Sequence, residues 1–239
     1  MIPLLNEVWA DLSPKYGQNG FRVCGLYPWN PNAVKTSQAT SYVRATAFNK
    51  HNVSLFFDNL NAVLVKHKIK PRNTYHFDET GITACHKPGK VILLAEVAKL
   101  ATGNKVLSIF FFLRKKDNPA FLHVGPIGSI SRANGSGWMR QEDFLFFMKH
   151  FVLFCRLNKE NKVLLLVDNH HSHLSLDVID FFKQNSVVML TLPPHCTHKL
   201  QPLDRSVFVA FKSYYNTACT SWMVNNYPGL TMKNWPCRN

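Results

Sequence analysis

The sequence predicts an α/β fold, a mixed sheet flanked by helices, and three observations carry that prediction. Apolar runs of strand length recur at Asn73–Phe77, Lys105–Leu113, Lys162–Val167 and Val187–Leu192. Other stretches repeat apolar residues at threes and fours, the period of an amphipathic helix. The order strand, helix, strand across residues 162–192 makes those two strands a parallel pair, because a helical crossover returns the chain in its original direction.

The elements follow in order. Residues 1–36 differ from the rest: Leu4–Leu12 fits a short helix, but Gly17, Gly20, Gly25, Pro28 and Pro31 predict nothing regular after it. From Ser41 to His67 the pattern is helical, with Phe48, Val53, Phe56, Phe57, Leu60, Val63 and Leu64 on one face and Asn49 or Asn52 as cap. A Gly/Pro/Ser-rich stretch runs from Gly125 to Trp138. Arg140–Leu157 then places Phe144, Phe147, Met148, Phe151 and Phe154 on a helical stripe. Leu174–Gln184 reads as another helix, and Asp204 opens a last one through Val207, Phe208, Phe211, Tyr214 and Tyr215.

The chain has 239 residues, 46% of them apolar and 18 of them Phe, enough for one sizeable core. Lys and Arg number 28 against 14 Asp and Glu, a net charge of +14 that favours a polyanionic partner, with nucleic acid the commonest. Six scattered cysteines without a C-x-x-C pair, and no signal peptide, read as reduced thiols of a nuclear or cytosolic protein. A zinc site at Cys196 with His195 and His198 lacks a second ligand pair at standard spacing. No apolar run reaches the length of about 18 residues needed to span a bilayer, so no membrane partner is expected.

Three aspartates concentrate the chemistry. Asp78 and Asp168 each close an apolar run, as a strand does when it delivers a carboxylate at its mouth, and Asp204 follows an irregular Pro/His stretch. Carboxylates from separate elements of a basic protein suit two magnesium ions acting on phosphodiesters. Each also has a structural alternative: a turn carboxylate at Asp78, a strand-end Asp at Asp168, a helix cap at Asp204. Asn169, His170, Ser172, His173, His195, His198 and Gln201 stand near them in sequence, as groups for phosphate or metal-bound water. Lys199, Arg205 and Lys212 flank Asp204 as candidate contacts to backbone phosphates.

Phe77-Asp-Glu-Thr-Gly81, Val167-Asp-Asn-His-His-Ser-His173 and Leu192-Pro-Pro-His-Cys-Thr-His-Lys-Leu-Gln-Pro-Leu-Asp204 resemble, in order, the motifs of the pogo/Tigger-type DDE transposase domain. This is the DDE superfamily endonuclease of the Tc1/mariner group, with jerky-like and centromere-binding relatives. The resemblance continues through Ser129, Ser136-Gly-Trp138, Phe208 with Lys212, Trp222-Met223 and Pro228-Gly229. It implies an RNase H-like fold, with Asp78, Asp168 and Asp204 as the catalytic and metal-binding triad. Asp78 and Asp168 would share one ion, and one of them with Asp204 the other. It also implies magnesium or manganese as two-ion cofactor, DNA as partner, a homo-oligomer, and a nuclear setting. In such enzymes water cuts one strand and the freed 3′-hydroxyl attacks target DNA.

The chain departs from that pattern in three ways. Residues 1–36 resemble the family's carboxy-terminal tail, in Gly20-Phe-Arg-Val-Cys-Gly-Leu-Tyr-Pro-Trp-Asn-Pro31, where helix-turn-helix domains are usual; residues 37–70 form a helical lead-in and 71–235 the DDE domain. This order suggests a fusion of two element remnants or a gene model built across them; the alternative is a permuted fold, in which the tail docks from the front because chain ends often lie close. The interval between Asp78 and Asp168 is short, so one central strand ahead of Gly103-Asn104 is expected to be missing, with Val91–Leu100, of helix-like Ala, Glu and Lys content, in its place. His76 stands where an apolar or Asn-type residue is usual. These departures keep open a second reading, a catalytically inactive or domesticated DNA-binding or interaction protein.

Overall fold

A computed structural model describes residues 2–34, 48–83, 91–99, 105–118, 125–136 and 138–225, with Thr102 and Leu122. The expectations for residues 41–47, for Gly103-Asn104 and for 226–235 lie outside the described residues.

Six strands make one sheet: β1 (Thr74–Thr83), β2 (Val91–Lys99), β3 (Lys105–Phe112), β4 (Ile130–Ala133), β5 (Val163–Val167) and β6 (Val187–Thr191), in the order β4-β3-β2-β1-β5-β6. β1, β2 and β3 form an antiparallel meander; β5 joins β1 in parallel, β6 joins β5 in parallel, and β4 runs parallel to β3 at the edge. A meander extended by parallel strands on the far side of its first strand is the RNase H-like arrangement.

The sheet has no gap where a strand was expected to be missing. Val91–Lys99 fills it as β2, in unbroken register with β1 from Tyr75↔Lys99 to Thr83↔Val91, and paired with β3 on its other side. Backbone groups satisfied along both edges outweigh the helical leaning of Ala, Glu and Lys. β1 also runs five residues beyond Asp78, so that carboxylate sits within a strand and not at its mouth.

Helices cover both faces. On one face lie α1 (Ile2–Asp11), α2 (Pro14–Val23), α3 (Lys50–His67) and the final helix, here α7 (Phe208–Asn225), packed in one apolar cluster that includes Leu5, Phe21, Phe57, Phe110, Leu164, Leu166 and Phe211. On the other, α4 (Gln141–Cys155) and α5 (Leu176–Gln184) pack Phe144, Phe147, Phe151 and Phe182 onto Phe77, Ile109, Phe111 and Leu165. The alternation along Ile109–Phe112 and Val163–Val167 divides each run between the two cores, which is why both runs are apolar without interruption. Phe154, expected on the buried stripe of α4, is 52% exposed.

The helix ends follow their caps. The Asn49 side chain accepts from the Asn52 N–H at 2.8 Å ahead of α3, Ser175 accepts from the Val178 N–H ahead of α5, and Asp143 at the third position of α4 accepts from the Arg140 N–H. A short α6 (Thr197–Leu200) leads into one turn of π-helix, Leu203–Val207, and then into α7. Asp204 therefore sits within a π turn and does not cap a helix.

Gly17 and Gly20 do not break the chain after Leu12, contrary to the sequence expectation; they lie buried inside α2. A Cβ on Gly20 would stand 2.3 Å from the Pro202 carbonyl oxygen. The glycine is spent on close approach: α2 packs against the π turn that carries Asp204. Likewise α1 packs along α7, with Trp9 edge-on to Phe211 and the Tyr16 and Tyr214 hydroxyls 2.8 Å apart. Residues 2–34 thus share a core with the last helix.

Candidate active site

The sheet places the first two aspartates side by side. The parallel register of β1 with β5 ends at His76↔Leu166. Continued two residues, it sets Asp78 level with Asp168, on strands about 5 Å apart. β1 also contacts the π turn, bringing Asp204 to the same end of the sheet.

Asp78 is buried, 6% exposed, and faces the α2 side of the sheet. Its Oδ1 accepts from the Glu79 N–H at 2.9 Å and from the Gln201 side-chain amide at 3.2 Å. Its Oδ2 is buried and accepts no hydrogen bond among the described residues. Burial pushes the Asp78 carboxyl well above its usual range, and the Asp204, Glu79 and Asp168 carboxylates push it further.

Asp168 lies just past β5. Its Oδ1 accepts from the His170 N–H at 3.0 Å and lies 3.0 Å from His173 Nδ1. Burial alone would raise this carboxyl, but the two histidines outweigh it and hold it below the ordinary value. Asp204 is exposed to solvent on its outer side. The protein around it still raises its carboxyl, with Lys212 opposing and Asp168 adding.

The remaining predicted residues divide clearly. Gln201 and His173 join the aspartates directly. His170 contributes its backbone N–H, while its ring meets Ser172 Oγ at 2.8 Å and lies tilted against the His171 ring, centroids 4.3 Å apart. Lys212 acts on Asp204 through its charge. Burial drives the Cys24 thiol up to about 12, with the charge of the Arg205 guanidinium opposing it. Asn169, on the loop after β5, and Lys199, in α6, have no described contact to the carboxylates. His195 is exposed in a turn at φ +59°, and Cys196 is buried. The His198 side chain lies outside the described residues.

One residue, Glu79, escaped the sequence reading, and a second, His76, entered it only as a departure from the family pattern. Glu79 follows Asp78 but projects to the opposite face by strand alternation. There its Oε1 lies 3.9 Å from Nε2 of the buried His173, and burial raises its carboxyl to about 7. The signal was present in Asp78-Glu79 itself. His76 is fully buried beneath Phe21, with neither ring nitrogen hydrogen-bonded among the described residues, and burial lowers its pKa to about 3.

Four carboxylates around one strand end, mutually repelling and one with an orphaned oxygen, are what a divalent cation would relieve. No three His, Cys, Asp or Glu side chains among the described residues already close on a common ion position. The donor chemistry nevertheless fits hard cations of the magnesium type.

A sequence model described as DDE superfamily endonuclease matches residues 100–235, a span that contains Asp168 and Asp204 and begins after Asp78. A human protein described as a pogo transposable element with ZNF domain is 25% identical over 118 residues, 49% of this chain and 8% of that protein. A Cochliobolus lunatus protein described as MFS-type transporter clz9 is 34% identical over 82 residues, 34% of this chain and 9% of that protein. The chain spans less than a tenth of the length of either relative. Among the described residues no helix is long and apolar enough to cross a membrane. The solved structure of the Mos1 transposase catalytic domain with raltegravir and manganese has a TM-score of 0.48 at 12% identity, over 74% of this chain and 82% of that one.

Proposed function

We propose a DNA-cleaving role for this chain, which belongs to the DDE superfamily endonuclease family: a transposable-element-derived, metal-dependent endonuclease domain acting in the nucleus, as a homo-oligomer on DNA. The observation that carries the reading is the orphaned Oδ2 of Asp78 among carboxylates that raise one another's proton affinity. Asp78, Asp168 and Asp204 would hold two magnesium or manganese ions, which when bound supply the Lewis acidity and activated water for phosphodiester cleavage. The chain's own residues prepare that site. Gln201 fixes one oxygen of Asp78, and His173, wedged between Asp168 and Glu79, fixes the other strand's carboxylate. The net charge of +14 draws the polyanion toward them.

Plasmid nicking in magnesium or manganese tests this. The intact chain is expected to nick, and Asp168→Ala to abolish nicking with the fold retained; nicking that survives that substitution overturns the assignment. One observation favours a second reading, a DNA-binding protein without catalysis: Asp168 is already engaged by His170 and His173. Thermal unfolding with millimolar magnesium separates the two, because a cation that binds only the native state raises the midpoint. An unmoved midpoint supports the inactive reading.

A further inference from the structure

The turn that carries Asp204 needs support from outside itself. It is one turn of π-helix, closed by the Phe208 N–H onto the Leu203 carbonyl. Such turns are rare and short, and the packing around them decides whether they persist. Asp204 also adds to the charge that raises the Asp78 carboxyl. Like charges that converge in this way have to be held together by the scaffold.

Two contacts hold them. On the inner side the Gln201 side-chain amide donates to Asp78 Oδ1 at 3.2 Å, and the Gln201 carbonyl accepts from the Arg205 N–H at 3.1 Å. On the outer side α2 packs on the turn, so closely that a Cβ on Gly20 would run into the backbone of the buried Pro202. The same helix reaches β1. Phe21, fully buried, stands edge-on to His76 with centroids 6.5 Å apart. His76 shares a face of that strand with Asp78, because alternate residues point the same way.

α2 is itself clamped at both ends. Near its start the Tyr16 hydroxyl meets that of Tyr214 on α7 at 2.8 Å. Past its end the Leu26 and Tyr27 N–H groups donate to the Phe21 carbonyl at 3.0 and 3.3 Å, and Cys24 and Leu26 are buried. A helix fixed in this way yields little to a side chain at position 20. The displacement falls on the π turn.

We infer that α2 is a positioning element of the metal site: it sets the turn carrying Asp204 against the strand carrying Asp78, and the ion that takes Asp204 as a ligand is held only while α2 is seated. The inference rests on the two-ion reading of the carboxylates. It adds a dependence on residues 2–34, none of which is among the four carboxylates around β1. Undocking of α2 releases that ion with every ligand side chain intact, so the segment regulates the site as well as completing it.

The test counts manganese ions on the full chain, without DNA, by the electron paramagnetic resonance of the free ion. The wild type is expected to bind two, and Asp204→Ala to lose one of them, which serves as the reference. Gly20→Ala, with its fold checked by circular dichroism, is expected to weaken the same ion and keep the other. The weakening should be roughly ten- to a hundredfold, the usual cost of disturbing a group that orients a metal ligand. Phe21→Leu adds no Cβ and probes the contact over His76; it is expected to weaken the same ion. Leu5→Ala empties part of the same core from α1, away from the π turn, and is expected to keep both ions. An unchanged affinity in folded Gly20→Ala, or in Phe21→Leu where Gly20→Ala does not fold, overturns the inference. Equal weakening in Leu5→Ala overturns it too, because general loss of packing would then suffice. In both cases two ions on the wild type leave the metal-site reading standing, whereas a wild type that binds none removes both.

Discussion

Glu79 and His76 flank Asp78 on opposite faces of the sheet, and their protons oppose each other. Glu79 is raised to about 7 from an ordinary 4.5, so the folded state binds its proton more tightly than the unfolded chain does. That stability is complete below pH 4.5 and is lost as pH rises through about 7. His76 is lowered to about 3 from 6.5, so its contribution is complete above pH 6.5 and is lost as pH falls toward 3. In metal-free protein, Glu79→Gln should raise the melting midpoint more at pH 8 than at pH 4.5. His76→Leu should raise it more at pH 4 than at pH 8. Thermal scans across pH check both signs, and slopes that move together would show that neither group is perturbed as described. Gln201 beside Asp78 and His173 beside Asp168 were legible as neighbours of the carboxylates because all four stand inside long motifs. Glu79 was not, because its role arises from the opposite face of the strand, where His173 waits from a distant loop.

Elements were legible where one physical rule dominated. The burial of β5, the Asn49 cap, and the 3.6-residue stripe of α4 were open to a reader of the sequence. β2 was not, because its residues lean toward helix and only pairing with β1 and β3 decides the matter. α2 was hidden by glycines whose purpose lies elsewhere, in the Pro202 carbonyl. Gly20→Ala should therefore destabilise the chain by about 2 kcal/mol or more, although alanine is the better helix former, because the obstructing atom is backbone. Urea unfolding checks it, and a neutral or stabilising result would show that α2 does not press on the π turn. The same substitution should weaken any magnesium-induced shift, since it displaces the turn holding Asp204.

At the scale of the molecule, charge is sorted by the sheet's two ends. The carboxylates gather where β5 runs out beside the middle of β1. At the other end, Lys66 and Lys68 close α3, Lys70 and Arg72 precede β1, and Arg156, Lys159 and Lys162 lead into β5, all exposed. Asn73 ties the two approaches together, donating to Asn161 Oδ1 at 3.0 Å and to the Lys162 carbonyl at 3.3 Å. If DNA lies along this end, Lys70→Ala, Arg72→Ala and Lys162→Ala should each lower the slope of log affinity against log salt by about one. Fluorescence anisotropy with duplex DNA between 50 and 200 mM salt, about the range where such contacts fade, reads the slope. Unchanged slopes would leave these cations as solvated surface.

The docking of α1 and α2 onto α7 also sets an order of events during synthesis. Tyr16 and Tyr214 meet across 198 residues of chain. Leu5, Phe21 and Leu26 find their apolar cover, Val207, Phe208 and Phe211, only when that late helix has left the ribosome. Until then the nascent chain carries an uncovered greasy face, and loop-closure entropy makes the final contact slow.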